Sequence, residues 1–192
     1  MVAAIILAAG SSTRMGRPKQ LLEVCGQTLV RRTALCALEA GCRPVIIVTG
    51  AHAQETREAL NGLEVVCVKN DLWELGLGSS IRAGVATVLQ SDSETEAIVI
   101  MVCDQPLVRP ETIVNLIAVY RDTSCSIVPS SYGGTLGVPA LFNRKHFGEL
   151  AGLDNAQGAK QIIHRHAANA HGVEFPEGAI DIDTPEDLAG LR

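Results

Sequence analysis

Apolar residues along the chain follow two patterns. Residues 2–7, 45–49 and 97–103 (the last read Ala-Ile-Val-Ile-Met-Val-Cys) are solid apolar runs that break at Gly, Asp or Pro, the mark of strands buried on both faces. Between the first two runs the pattern loosens to one buried face of a helix over 28–40, with Leu29, Thr33, Cys36 and Leu38 spaced for burial and Gly41 as its stop. The spacing predicts further helices over 53–60, from Ser79 or Ser80 as N-cap to Gln90, over 110–121 with Pro at the first turn, over 144–150 and over 156–168. It predicts strands over 64–68, 124–129 and 138–142, short ones over 173–175 and 179–181, a flexible loop over 130–137 and a last helix opening at Thr184. Strands alternating with helices predict right-handed βαβ units: a mostly parallel sheet with helices on both faces and ligands at the carboxyl ends of the strands. No repeat or linker divides the chain, so residues 1–192 are expected to form a single domain.

Two stretches at strand ends carry the candidate chemistry. After the first strand come Ala8-Ala9-Gly10-Ser11-Ser12 and then Arg14, Arg17 and Lys19. Small residues let a ligand approach the backbone, and three cations in such a loop suit a polyphosphate better than a plain solvated connection. The stretch is neither a Walker loop nor a Gly-x-Gly-x-x-Gly dinucleotide fingerprint. Asp104 follows the strand over 97–103. A carboxylate there suits Mg²⁺, which takes one or two carboxylates plus phosphate oxygens and water, although Asp-Gln-Pro also serves ordinary turns. Cys103 beside it has no local histidine to activate it and reads as a core thiol. Gly76 to Arg82 opens a helix, where free amides would bind an anion or simply be capped. Two placements stay open for Trp73: core, or stacked near a heterocycle.

Composition narrows the classes. Hydrophobic residues make up 47% of 192 positions, which excludes a disordered chain. Sixteen basic against 21 acidic residues, a net −5, argue against a non-specific nucleic-acid binder. Six scattered cysteines with no Cys-x-x-Cys read as reduced thiols. The apolar start is too short for a signal peptide, and no run reaches a membrane span, so a cytoplasmic protein is expected. The histidines show no zinc-ligand spacing; His164 and His166 point to different helix faces.

Leu7-Ala8-Ala9-Gly10, Ser12, Arg14-Met15-Gly16 and Pro18-Lys19-Gln20-Leu21-Leu22 resemble the signature of transferases that use nucleoside triphosphates, and within them the molybdenum cofactor cytidylyltransferases of the molybdopterin nucleotidyltransferase family. Cys103-Asp104-Gln105-Pro106-Leu107 resembles that family's metal motif, and residues 70–84 its second nucleotide segment. Tyr132-Gly133-Gly134 and Gly137-Val138-Pro139 resemble the segment that meets the second substrate, and residues 181–188 the carboxyl-terminal motif. The resemblance implies a Rossmann-like three-layer sandwich of the nucleotide-diphospho-sugar transferase type. It implies transfer of CMP from CTP to molybdopterin-type cofactor, with Mg²⁺ on Asp104 and a molybdoenzyme receiving the product. Arg14, Lys19 and Asp104 would be catalytic; Leu7, Ala8, Ala9, Gly10, Ser12, Ser79 and Ser80 would join them around the nucleotide. Where relatives read Gly-Asp-x-Gly-Ala-Arg, this chain has Asn155 and Ala156 at the Gly-Asp positions and Lys160 for Arg, so a second metal carboxylate is Asp183, Asp154 or none, and Asp183 also reads as a cap of the last helix. The guanylyl branch reads Leu-Ala-Gly-Gly, so a glycine stands there in place of Ala9, which points to a pyrimidine base here. Alternatives are a sugar or polyol phosphate acceptor, a non-catalytic nucleotide sensor, or a cofactor-carrying maturation factor.

Overall fold

The computed structural model describes residues 1–11, 16–91, 93–182 and 187. Ser12, Arg14 and Asp183 lie outside the described residues, as does most of the expected last helix. The described strands are β1 (Val2–Ala8), β2 (Glu23–Val24), β3 (Gln27–Thr28), β4 (Val45–Thr49), β5 (Val66–Lys69), β6 (Ala97–Val102), β7 (Ile127–Tyr132), β8 (Thr135–Asn143) and β9 (Val173–Glu174). The helices are α1 (Leu29–Glu39), α2 (Ala53–Ala59), α3 (Leu77–Ser91), α4 (Pro110–Asp122), α5 (Phe147–Ala151) and α6 (Ala159–Arg165).

Seven strands form one sheet in the order β5-β4-β1-β6-β8-β7-β9, while β2 and β3 make a small separate hairpin. β1 pairs in parallel with β4 and β6, β4 with β5, and β7 with β9; β8 runs antiparallel to both its neighbours. The expected α/β architecture with a mostly parallel sheet is what the chain forms. The solid apolar runs have a simple cause. Along β1, Val2, Ala4, Ile6 and Ala8 face α1 and α4, while Ala3 and Ile5 face α3, α5 and α6, so both faces are buried. Gly84 on α3 lets the helix lie close on this sheet, since a Cβ there would stand 2.6 Å from the Ile5 side chain.

The chain order sets the site. After β1 the chain moves outward to β4 and β5, then α3 carries it back to β6 on the other side of β1. The strand order therefore reverses between β1 and β6, the place where open α/β sheets take ligands.

Several predicted boundaries move. The expected loop over 130–137 is a hairpin: β7 runs through Tyr132, β8 starts at Thr135, and Gly133 and Gly134 turn the chain at φ 56° and 72°. Two left-handed residues form the type of turn that matches strand twist, and glycine takes it without strain. β7 begins late because the Thr123 hydroxyl accepts from the Cys125 amide and holds a turn ahead of it. α3 begins at Leu77, so Ser79 and Ser80 lie inside the helix and do not cap it. The expected 156–168 helix shortens to α6 plus a 3-10 turn over Ala167–Asn169, because a turn closed by the Gln157 amide on Asp154 O precedes it. The 179–181 stretch is no strand; Pro176–Ala179 forms a 3-10 turn.

Candidate active site

A cleft of about 420 Å³ opens at the carboxyl ends of β1 and β6. Its floor is Leu7, Ala8, Ala9, Gly10 and Ser11 from the first strand end, with Val102, Cys103 and Asp104 from the other. Lys19 and Gln20 close one side, and Trp73, Glu74, Gly76, Leu77 and Ser80 the other. Two stretches singled out far apart in sequence thus meet because β1 and β6 are paired neighbours, with Leu7 beside Val102.

Lys19 opens a 3-10 turn after Pro18, and its Nζ stands 3.8 Å from Asp104 Oδ2. The lysine side chain is 16% exposed and the aspartate 34%, so both are partly desolvated yet reachable from the cleft. At that separation the two charges attract, and a phosphate oxygen suits the ammonium as a cation suits the carboxylate. Gln20 is buried and donates to Gly10 O, which ties the turn bearing Lys19 to the small-residue loop.

Cys103 lines the cleft but is 4% exposed. Burial, helped by the neighbouring Asp104 charge, pushes its thiol well above the usual range and keeps it protonated. The structure agrees with its reading as a core thiol. Gln105 looks the other way. Its side-chain amide donates to Gly178 O at 2.9 Å and Val138 O at 3.1 Å, and its Oε1 is buried with no hydrogen-bond partner among the described residues. Together with the Ile182 amide, which donates to Asp104 O at 2.9 Å, it pins the β7–β8 hairpin and the 176–182 segment beside the end of β6. Tyr132 donates to Val138 O in the same cluster; burial first, then the Asp181 and Asp104 charges, raise its hydroxyl pKa.

The far wall is organised by Asn70, the first residue of the 70–84 segment and one that its sequence context does not single out. Its buried side chain donates to Ser79 Oγ at 2.8 Å and Ser80 Oγ at 3.1 Å, and its Oδ1 accepts from the Leu72 amide. Ser79 spends its own proton on Leu72 O or Gly76 O and does not line the cleft. Ser80 does line it, and a hydroxyl that accepts from Asn70 still has a proton to donate. The helix start is not an open anion site at Gly78 and Ser79, whose amides donate to Asn155 O and Gly76 O. Asn155 also takes Arg82 through its Oδ1 at 2.6 Å, so the position that departs from the expected Gly-Asp pattern holds the 153–157 turn onto α3. Asp154 lies in that turn and is not part of the cleft lining.

Trp73 lines the cleft, which settles its placement. Gly50 makes the room: a Cβ there would collide with Ala9 O and come within 2.7 Å of the indole. Ala9 and Trp73 therefore border the same wall. No helix among the described residues is long and apolar enough to cross a membrane.

Known proteins resemble this chain in sequence and fold. A protein named nicotine blue oxidoreductase from Paenarthrobacter nicotinovorans is 35% identical over 146 residues, covering 76% of this chain and 68% of the other. Bifunctional GlmU proteins also match, and the chain spans 31% of the one from Pelobacter propionicus at 33% identity. Among solved structures, Rv0371c from Mycobacterium tuberculosis superposes at TM-score 0.80 with 33% identity, covering 100% of this chain and 98% of the other. A nucleotidyl transferase from Methanothermobacter thermautotrophicus superposes at 0.83 with 26% identity, covering 100% and 96%. Residues 4–170, which include both strand ends of the cleft, match a single family model, and the chain belongs to the MobA-like NTP transferase domain family.

Proposed function

We propose that this nucleotidyltransferase-family chain transfers CMP from CTP to the phosphate of a molybdopterin-type molybdenum cofactor and releases pyrophosphate, in the cytoplasm, for delivery to a molybdoenzyme. The observation that carries the reading is Lys19 facing Asp104 across a cleft floored by the small residues at the end of β1. The acceptor phosphate attacks the α-phosphorus in line, and no protein nucleophile is needed. The protein contributes positioning and charge. Lys19, with Arg14, neutralises the α-phosphate and the departing pyrophosphate. Leu7, Ala8, Ala9, Gly10 and Ser12 lie along the nucleotide, Ser80 donates to the nucleoside, and Ser79 holds Asn70 and the loop behind it. The β7–β8 hairpin beside Gln105 is the wall for the acceptor.

A divalent ion fits the donor set. Asp104 is one partly exposed carboxylate at a strand end, which is what Mg²⁺ uses together with phosphate oxygens and water. When bound there, the ion neutralises phosphate charge during the displacement. A second carboxylate, if one takes part, is Asp183, which the resemblance suggests; otherwise Asp104 alone holds the ion with phosphate oxygens and water. A manganese complex of Rv0371c, 31% identical to this chain, supports a divalent ion in this family.

A second reading has one observation in its favour: the relative named as an oxidoreductase is 35% identical over most of this chain. Against it, β1 is not followed by the glycine pattern that cradles a dinucleotide. One experiment separates the readings. The protein is incubated with each nucleoside triphosphate, Mg²⁺ or Mn²⁺, and molybdenum cofactor, with sugar and polyol phosphates as rival acceptors. Pyrophosphate is measured and the product is identified by mass. Cytidylylated cofactor is expected. Pyrophosphate only with a sugar or polyol phosphate would replace the acceptor. No pyrophosphate with any pair, together with oxidation of a reduced nicotinamide cofactor by a dye substrate, would replace the reaction.

A further inference from the structure

A second cluster of ligand-type side chains stands at the other end of the sheet. β8 ends at Asn143, paired with Ala97 at the start of β6, so the residues just after it lie below the amino ends of the parallel strands. His146 closes the 3-10 turn that follows, Glu149 sits in α5, and His166 caps the end of α6. His146 Nδ1 and His166 Nε2 each lie 2.9 Å from Glu149 Oε1. One ligand atom from each of the three lies within 4.8 Å of the others.

We propose that His146 Nδ1, Glu149 Oε1 and His166 Nε2 bind one divalent transition-metal ion of the zinc class, at a site separate from the cleft. Two imidazole nitrogens and one carboxylate oxygen are a donor set that suits such an ion and not Mg²⁺ or Ca²⁺. Bonds of about 2.0–2.2 Å in tetrahedral geometry put donor atoms roughly 3.3 Å apart. Each nitrogen now stands 2.9 Å from the carboxylate oxygen and the two nitrogens lie within 4.8 Å of each other, so the N···O gaps open by a few tenths of an ångström and the imidazoles settle to the same spacing as the ion enters. A cavity of about 520 Å³, lined in part by both histidines, opens beside them, so water or another small ligand reaches a fourth position.

The surroundings supply the outer partners that metal-ligating groups use. Ser126 Oγ is 2.9 Å from His146 Nε2, and Arg165 donates to Glu149 Oε2 at 3.0 Å. In the metal-free protein the two ring N–H groups donate to Glu149. When the ion enters, each neutral imidazole keeps its proton on the other nitrogen: His146 then donates from Nε2 to Ser126 Oγ. Arg165 stays on Oε2 and leaves Oε1 to the metal. Lys145 is the other cation beside the cavity. The ion joins the end of β8, α5 and the end of α6, which already pack together around Glu149 and through the His146–His166 ring contact.

The test uses chelator-stripped full-length protein and Zn²⁺ or Co²⁺, followed by calorimetry, metal analysis after dialysis, and thermal unfolding. One equivalent is expected to bind wild type and Asp104→Asn alike, to raise Tm saturably, and to be undisturbed by excess Mg²⁺. His166→Ala, His166→Gln and Glu149→Gln should each weaken binding at least tenfold while the His166 variants keep wild-type pyrophosphate release. Bound Co²⁺ should show nitrogen and oxygen ligation. Unchanged affinity in folded His166→Ala, a thiolate charge-transfer band that traces the ion to a cysteine, or no ion retained by wild type would each overturn the site.

Discussion

The two ends of the sheet handle charge in opposite ways. At the carboxyl end, Lys19 and Asp104 face each other at 3.8 Å across an open cleft. At the amino end, three donors from His146, His166 and Arg165 stand within 3.1 Å of one carboxylate. The consequence shows in Glu149 itself, whose pKa is lowered to about 2, first by the hydrogen bond from His146 and then by those from His166 and Arg165. A satisfied acceptor holds its own donors and yields only to a ligand that replaces them, as a zinc-class ion would. The carboxyl-end charges border a cleft of about 420 Å³ that a substrate can enter. Opposite charges on an open cleft suit turnover, and a saturated carboxylate suits structure or a resident ion.

The largest expected effect comes from the charge at Asp104. Asp104→Asn keeps the shape and the backbone oxygen that receives the Ile182 amide, but removes the charge a divalent ion needs. Metal-dependent pyrophosphate release should fall by about 10³-fold or more, with the thermal midpoint close to wild type, since removing an electrostatic stabiliser typically costs 10²–10³-fold even without loss of a metal. Near-normal rates at matched Mg²⁺ would sink the metal role. Lys19→Ala comes next, with kcat down about 10²–10³-fold and the acceptor KM little changed, because its phosphate partner gains charge in the transition state. A change confined to the acceptor KM would move Lys19 to the other substrate.

The saturated end should respond in the opposite currency. Glu149→Gln leaves three donors facing a neutral amide and should cost about 1–3 kcal/mol of stability, read by denaturant unfolding, while pyrophosphate release stays at the wild-type level. A loss of turnover without a loss of stability would mean that the two ends are coupled.

How much of this was legible in the sequence follows from the same contrast. Both strand-end motifs are contiguous in sequence, so Ala8, Ala9, Gly10, Lys19 and Asp104 could be read one stretch at a time, and the solid apolar runs revealed the parallel strands that bring them together. The amino-end cluster needs three segments to meet: residue 126 before β7, residues 146 and 149 after β8, and residues 165 and 166 at the end of α6. The spacing of the histidines argues against a zinc site in sequence, because spacing tests only neighbours along the chain; His146-x-x-Glu149 is the local trace of the cluster. Asn70 escaped for a related reason. A buried amide that joins Ser79 and Ser80 to the preceding loop looks, in sequence, like any turn asparagine. The hairpin at Gly133-Gly134 was legible as a turn, but strand residues rich in serine and glycine on either side of it were read as loop.

The smallest expected effect sharpens the cleft alone. Ala9 lies at the end of β1, 7% exposed, and shares with Trp73 the wall that Gly50 keeps free. Its methyl group takes space that a glycine would leave to a purine. One methyl in a binding pocket is worth about 1–3 kcal/mol, or 10–200-fold in kcat/KM. Wild type should therefore prefer CTP to GTP, and Ala9→Gly should narrow that preference by about tenfold, with most of the gain on the GTP side. Full reversal is not expected, because Ser80 and Trp73 line the same cleft and are untouched by the change. The measurement is kcat/KM for both triphosphates at saturating acceptor on the two proteins. Equal use of CTP and GTP by wild type would end the pyrimidine assignment. A clear preference that Ala9→Gly leaves unaltered would instead transfer the selection to the other wall, where Trp73→Ala should then relax it.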